Sequence, residues 1–116
     1  MSLPPLERLL HIQKEAAYLQ RCKANHSMSE IIHSEDLSRA VVRSLEIIGE
    51  VVKSLPAEWR ENYLAVPWKQ IARMRDRLIH HYFDIDFEVV GNVLESEIDP
   101  LASTVAKMLQ ELPGQV

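Results

Sequence analysis

The chain has 116 residues, of which 47% are hydrophobic and 26% charged, with 3 glycines and a net charge of −4. That size supports one domain, residues 1–116, with a single core and no staples. The glycine-poor, Leu-, Ile-, Val-, Glu- and Arg-rich makeup favours an all-α protein over a sheet. The single cysteine, Cys22, rules out an internal disulfide and fits a reducing cytoplasm. The start MSLPPLERLL lacks the pattern of a signal peptide, and no apolar run nears the ~18 residues of a membrane span. The expectation is a soluble, cytoplasmic protein with no membrane contact.

Pro4-Pro5 opens a first helix that should run to about Lys23 or Ala24. Leu9, Ile12, Ala16 and Leu19 form its core stripe, and Arg8, Lys14 and Arg21 its solvated side. Ser27-Met28-Ser29-Glu30 has capping-box spacing and predicts a short turn through Ile31-Ile32. His26 and His33 read as exposed loop histidines, since no cysteine or carboxylate stands at ligand spacing.

Ser34 caps a long second helix that begins Glu35-Asp36 and ends toward Pro56, with Leu37, Val41, Ser44, Ile48, Val51 and Leu55 inward. Gly49 is costly in mid-helix, and a close helix–helix contact is the simplest reason for it. Glu46 and Glu50, four apart, form either a metal-binding or acid–base pair or, more simply, a polar strip that salt-bridges a neighbouring helix. Pro56-Ala57-Glu58-Trp59 starts a short helix or turn. Trp59 and Trp68 read as core or interface anchors.

The stretch Trp68 to Asp86, WKQIARMRDRLIHHYFDID, organises the rest. Trp68, Ile71, Ala72, Leu78 and Ile79 recur at helical spacing, and Pro67 suits a first turn. Arg75 and Tyr82 project from near the centre of that apolar face, where a guanidinium needs partners. Lys69, Arg73, Asp76, Arg77 and His80 fall on the polar side, with Asp76 and His80 one turn apart. From Trp68 to Tyr82 there are four basic residues and one acid; from Phe83 onward there are seven acids and one base. Such a local basic patch on an acidic chain can bind RNA. Beyond it, Asp84 or Asp86 caps a helix carrying Val89, Val90, Val93 and Leu94. Pro100 kinks that helix or begins a last one, with Asp99 as its cap and Leu101, Val105, Met108 and Leu109 inward. Pro113-Gly114 ends it. Four main helices with one extra turn, four to five in all, make an up-down bundle.

Arg75-Asp76-Arg77-Leu78-Ile79-His80-His81-Tyr82 has the form Arg, four residues, His, one residue, Tyr. Together with Pro67-Trp68, Met74 and the segment Phe83 to Asp86, it resembles the signature of the HepT-like toxins of the HEPN superfamily of helical ribonucleases. Leu45 to Glu50 also resembles that family's preceding helix. The likeness is firm from about Leu37 to Asp86. Where HepT-like proteins often carry Asn or another polar residue after the Arg, this chain has Asp76, which keeps polarity and adds a negative charge.

RNA cleavage without a metal or other cofactor needs a group to take the 2′-hydroxyl proton, one to protonate the leaving 5′-oxygen, and a cation on the phosphorane. His80 titrates near neutrality, Arg75 offers a fixed charged fork, Asp76 could orient the His80 ring, and Tyr82 could donate to phosphate. Lys69, Arg73 and Arg77, spaced i, i+4, i+8, would contact RNA phosphates. Arg75 and His80 differ by about 140° around a straight helix. Both reach one phosphate only if the helix distorts or two copies of the motif converge. The resemblance implies the second, a homodimer whose two motifs line one cleft.

It also implies a toxin–antitoxin pair acting on RNA such as transfer RNA. The partner it implies is a minimal nucleotidyltransferase antitoxin that places AMP on Tyr82. The competing class is a non-catalytic helical partner whose role is to bind that nucleotidyltransferase.

Overall fold

The computed structural model describes residues 4–80, His80 by its backbone alone, and residues 84–112. All the regular structure there is helical. The elements are α1 (Pro5–Asn25), α2 (Met28–His33), α3 (Glu35–Ser54), α4 (Ala57–Asn62), α5 (Trp68–His80), α6 (Phe87–Ser96) and α7 (Ile98–Glu111). Five of these are of ten residues or more and form the bundle; α2 and α4 are six-residue links. The sequence reading of an all-α four-to-five-helix bundle holds.

Local chemistry sets the boundaries. Pro5 occupies a first-turn position of α1, where its missing N–H costs nothing. Ser27 and Glu30 close a full capping box on α2, the Ser27 hydroxyl accepting from the Glu30 N–H at 3.1 Å and the Glu30 carboxylate from the Ser27 N–H at 3.2 Å. Ser34 caps α3 through the Leu37 N–H, and the Asp86 carboxylate takes the Glu88 and Val89 N–H groups at the start of α6. The cap expected at Asp99 is absent. Glu97 stands at that position with helical φ and ψ and no side-chain cap, so α6 turns into α7 almost without a break. Pro100 falls in the first turn of α7, where N–H groups have no helical acceptor to lose. Asp99 is therefore released to α1, where it accepts from Gln20 at 3.0 Å and pairs with Lys23 at 3.4 Å.

α1 is the hub, packing on α3 and α7 and touching α6, while α5 packs extensively on α3. Leu9, Ile12, Ala16 and Leu19 are fully buried, as their spacing requires, and meet Val41, Leu45 and Ile48 of α3 and Leu101, Val105 and Met108 of α7 in one core. Each such aliphatic side chain contributes roughly 1.5–3 kcal/mol on burial. The Ser44 hydroxyl, buried on the core side of α3, donates to the Glu15 carboxylate at 2.8 Å and so satisfies itself against α1. Arg8 is not a solvated residue: it is half-buried and donates to the Ser54 carbonyl, one of the acceptors left open at the end of α3. Trp68 is an anchor, buried with its indole N–H donated to the Tyr63 carbonyl at 2.7 Å.

Candidate functional site

α5 is a continuous α-helix from Trp68 to His80, without a bulge. Its apolar stripe is buried at Trp68, Ile71, Met74 and Leu78, whereas Ile79, at the edge of that stripe, is exposed. Near the centre of the buried stripe stands Arg75. The structure shows how it is accommodated: α3 carries Gly49 directly beneath it. A Cβ at Gly49 would overlap the Arg75 Cβ and lie 2.8 Å from its Cγ and 3.3 Å from its Cα. The missing methyl thus lets the two helices meet at this residue, which is the close contact inferred for Gly49.

The Arg75 side chain emerges from that contact one-quarter exposed. Its Nη1 donates to the Asp76 carboxylate at 3.2 Å, and Lys53 of α3 donates to the same oxygen at 3.0 Å. Asp76 is thereby held between two cations from two helices. The Lys53 hydrogen bond first, and that of Arg75 second, keep its carboxyl below the usual carboxylate range. The shift favours the anion, which the two cations hold against the Arg75 guanidinium. The Arg75 Nε is buried without an acceptor, and only Nη1 of the guanidinium donates to Asp76 among the described residues. One side of the fork is fixed, and the other is available to an anion.

Lys53 is the residue that sequence reading missed. It lies 23 positions before Asp76 in the chain and reads locally as a cation placed well against the α3 dipole. Only the Gly49 contact, once paired with Arg75, would have brought it to attention, since Lys53 is one turn beyond Gly49 on the same helix.

The expected basic stripe is exposed but divided. Arg73 and Arg77 line one groove between α5 and α6, while Lys69 borders a separate apolar hollow with Leu64, Pro67 and Trp68. Glu46 pairs with Arg43 of its own helix at 3.4 Å and not with a neighbouring helix. His26, expected in an exposed loop, is half-buried at the end of α1 with its Nδ1 3.4 Å from Glu30. His33 is exposed, on the last residue of α2, against the Ser29 carbonyl. The His80 side chain, and the whole of His81 and Tyr82, lie outside the described residues. Among the described residues, no helix is long and apolar enough to cross a membrane.

Comparison with known proteins agrees with this arrangement. The family described as "Ribonuclease HepT-like" matches residues 12–108, which take in Gly49, Lys53 and the whole Arg75–His80 segment. A protein of Caldanaerobacter subterraneus subsp. tengcongensis named "Putative RNase TTE0752" is 43% identical over 107 residues, 92% of this chain and 96% of that one. "Putative RNase MJ0127" of Methanocaldococcus jannaschii is 36% identical over 89 residues, 77% of this chain and 74% of its own. "Probable ribonuclease HepT" of Thermococcus cleftensis is 41% identical over 69 residues, 60% of this chain and 63% of its own. No solved structure matches. With a helical bundle, an Arg75 seated on a glycine and a family match spanning nearly the whole bundle, the chain belongs to the HepT-like ribonuclease family.

Proposed function

We propose that the chain is a metal-independent endoribonuclease, the toxin of a toxin–antitoxin pair, working through a composite Arg75 and His80 site at a homodimer cleft. The observation that carries this reading is the Arg75 guanidinium, brought out of an apolar helix face by Gly49 and braced by the Asp76–Lys53 pair. A structural arginine would be satisfied inside the chain. This one keeps half its fork unengaged.

The chemistry follows from RNA itself. A base takes the proton of a 2′-hydroxyl, the 2′-oxygen attacks phosphorus, and the 5′-oxygen leaves with a proton from an acid, giving a 2′,3′-cyclic phosphate. His80 supplies the titrating group, and Arg75 neutralises the phosphorane oxygens. Lys69, Arg73 and Arg77 hold flanking phosphates. The regular course of α5 supports the dimer: on an undistorted helix Arg75 and His80 stay about 140° apart, so one phosphate is reached by the Arg75 of one protomer and the His80 of the other. Incubation with RNA in EDTA should give fragments ending in 2′,3′-cyclic phosphate, and His80→Ala should give none. Cleavage by His80→Ala at the wild-type rate would remove the assignment.

The same reading gives Tyr82 a regulatory role. AMP attached to it by a partner nucleotidyltransferase would add an anion two residues past His80 in the motif, to compete with substrate phosphate. Intact mass after co-expression should rise by one adenylyl group or more on the wild type and not on Tyr82→Phe. If Tyr82→Phe is neutralised as well as the wild type, the antitoxin acts by binding alone.

A further inference from the structure

Neighbours in sequence project about 100° apart on an α-helix and do not face one another. Arg75 and Asp76 nevertheless bond at 3.2 Å, although Arg75 stands over Gly49 of α3 and Asp76 lies at the flank of α5. The Asp76 carboxylate therefore leans back toward α3, and Lys53 draws it there. Lys53 stands one turn past Gly49, and its Nζ donates at 3.0 Å to the same carboxylate oxygen that Arg75 uses. Among the described residues this is the one ion pair that joins α3 to α5.

Holding the two helices together is not what this pair is for. α3 and α5 already meet along a buried apolar seam that includes Ile48, Val52, Ile71 and Leu78. The Lys53 and Asp76 side chains are 45% and 42% exposed, where an ion pair contributes little to stability. Arg75, by contrast, has little else to orient it. Gly49 presents no side chain to it, its Nε finds no acceptor, and only Nη1 is bonded. With the stem set by the helix contact, that one bond fixes the plane of the guanidinium and hence the direction of Nη2.

We propose that Lys53 is a positioning residue for RNA cleavage: acting through Asp76, it turns the Arg75 guanidinium so that Nη2 meets the scissile phosphate. This assignment rests on the ribonuclease reading, and the orientation of Arg75 can be measured apart from cleavage.

Lys53→Met keeps most of the apolar stem and removes the ammonium. Its melting temperature should stay close to wild type, since the lost pair is exposed. At saturating RNA, where binding no longer limits, it should cut roughly 10–100-fold more slowly, as expected when a catalytic group is slightly misplaced. Asp76→Ala should lose at least as much. Adding Lys53→Met to Asp76→Ala should lower the rate no further, because the lysine has no other route to Arg75. In NMR spectra of isotope-labelled protein, the guanidinium signals that vanish in Arg75→Ala should report slow rotation of the Nη groups in the wild type. The same signals should report fast rotation in Lys53→Met. A Lys53→Met protein that cuts at the wild-type rate overturns the proposal, and so does an Arg75 rotation that the substitution leaves unchanged. A further loss in the double variant overturns it in favour of Lys53 touching RNA phosphate itself. If the wild type cuts no RNA, the nuclease reading falls, and the rotation alone decides whether Lys53 orients Arg75.

Discussion

Arg75→Ala is expected to lower RNA cleavage by roughly 10²–10³-fold, the usual loss when one donor to a developing oxyanion is removed. Its fold should survive. The substitution removes a guanidinium whose Nε has no acceptor, and Asp76 keeps its Lys53 partner. Arg75→Lys should recover little, because an ammonium cannot bond Asp76 on one side and present a second, coplanar donor on the other. The decisive arm mixes two inactive proteins. In a composite site the Arg75→Ala and His80→Ala chains each retain what the other lacks, so re-equilibrated heterodimers contain one intact pair. Activity should return to roughly a quarter of wild type, half of the dimers being mixed and each having one working site of two. If the mixture stays as inactive as its components while each variant is folded and dimeric, Arg75 and His80 act within one protomer and the helix must distort to let them.

Gly49→Ala should be the most damaging small substitution in the bundle. Elsewhere in a helix the change would stabilise by about 1 kcal/mol through propensity. Here the new methyl collides with the Arg75 Cβ, which is fixed to the backbone and cannot rotate away, so α3 and α5 must part. Overpacking of this kind costs roughly 1–3 kcal/mol and sometimes more. A net loss of about 2 kcal/mol would lower the melting temperature by roughly 5–15 °C. Activity should suffer further, because parting the helices moves Arg75 and Asp76 away from Lys53, and a misplacement of about 1 Å can cost 10²-fold. The measurement is cleavage well below the melting temperature, compared with thermal unfolding of the same sample. A Gly49→Ala protein as stable as wild type would mean that the helices do not meet at this point.

These two residues also show how far sequence carries. The amphipathic pattern places Arg75 on a buried face, and a mid-helix glycine announces a close approach, but neither names the other. Pairing them requires knowing that α5 lies on α3 in the register that brings Gly49 beneath Arg75. That register is set by the sum of many apolar contacts, among them Ile48, Val52, Ile71 and Leu78. Lys53 was hidden for the same reason, since its partner Asp76 is close only through the packing of two helices. Glu97 was hidden differently. A glutamate between two helices reads as a solvated linker, and its half-buried state follows from α6 and α7 running together with no capped break. Asp99 misled because an aspartate before a proline has the local form of a cap, while Gln20 and Lys23 offered it better partners on α1. Helix ends signalled by Ser27, Ser34 and Asp86, by contrast, were legible because their chemistry is complete within four residues.

The helix that bears the motif leans on α3, while α1, α3 and α7 interlock through the centre of the molecule. Amide protons along α5 should accordingly exchange through a partial opening of lower free energy than that which frees those of α1. A strand of RNA lying across α5 would close that opening, so that the molecule becomes most uniformly rigid when it is loaded. Part of the intrinsic affinity for RNA would then go into ordering α5, which would favour long, continuously engaged strands over short fragments and hasten the departure of cleaved product.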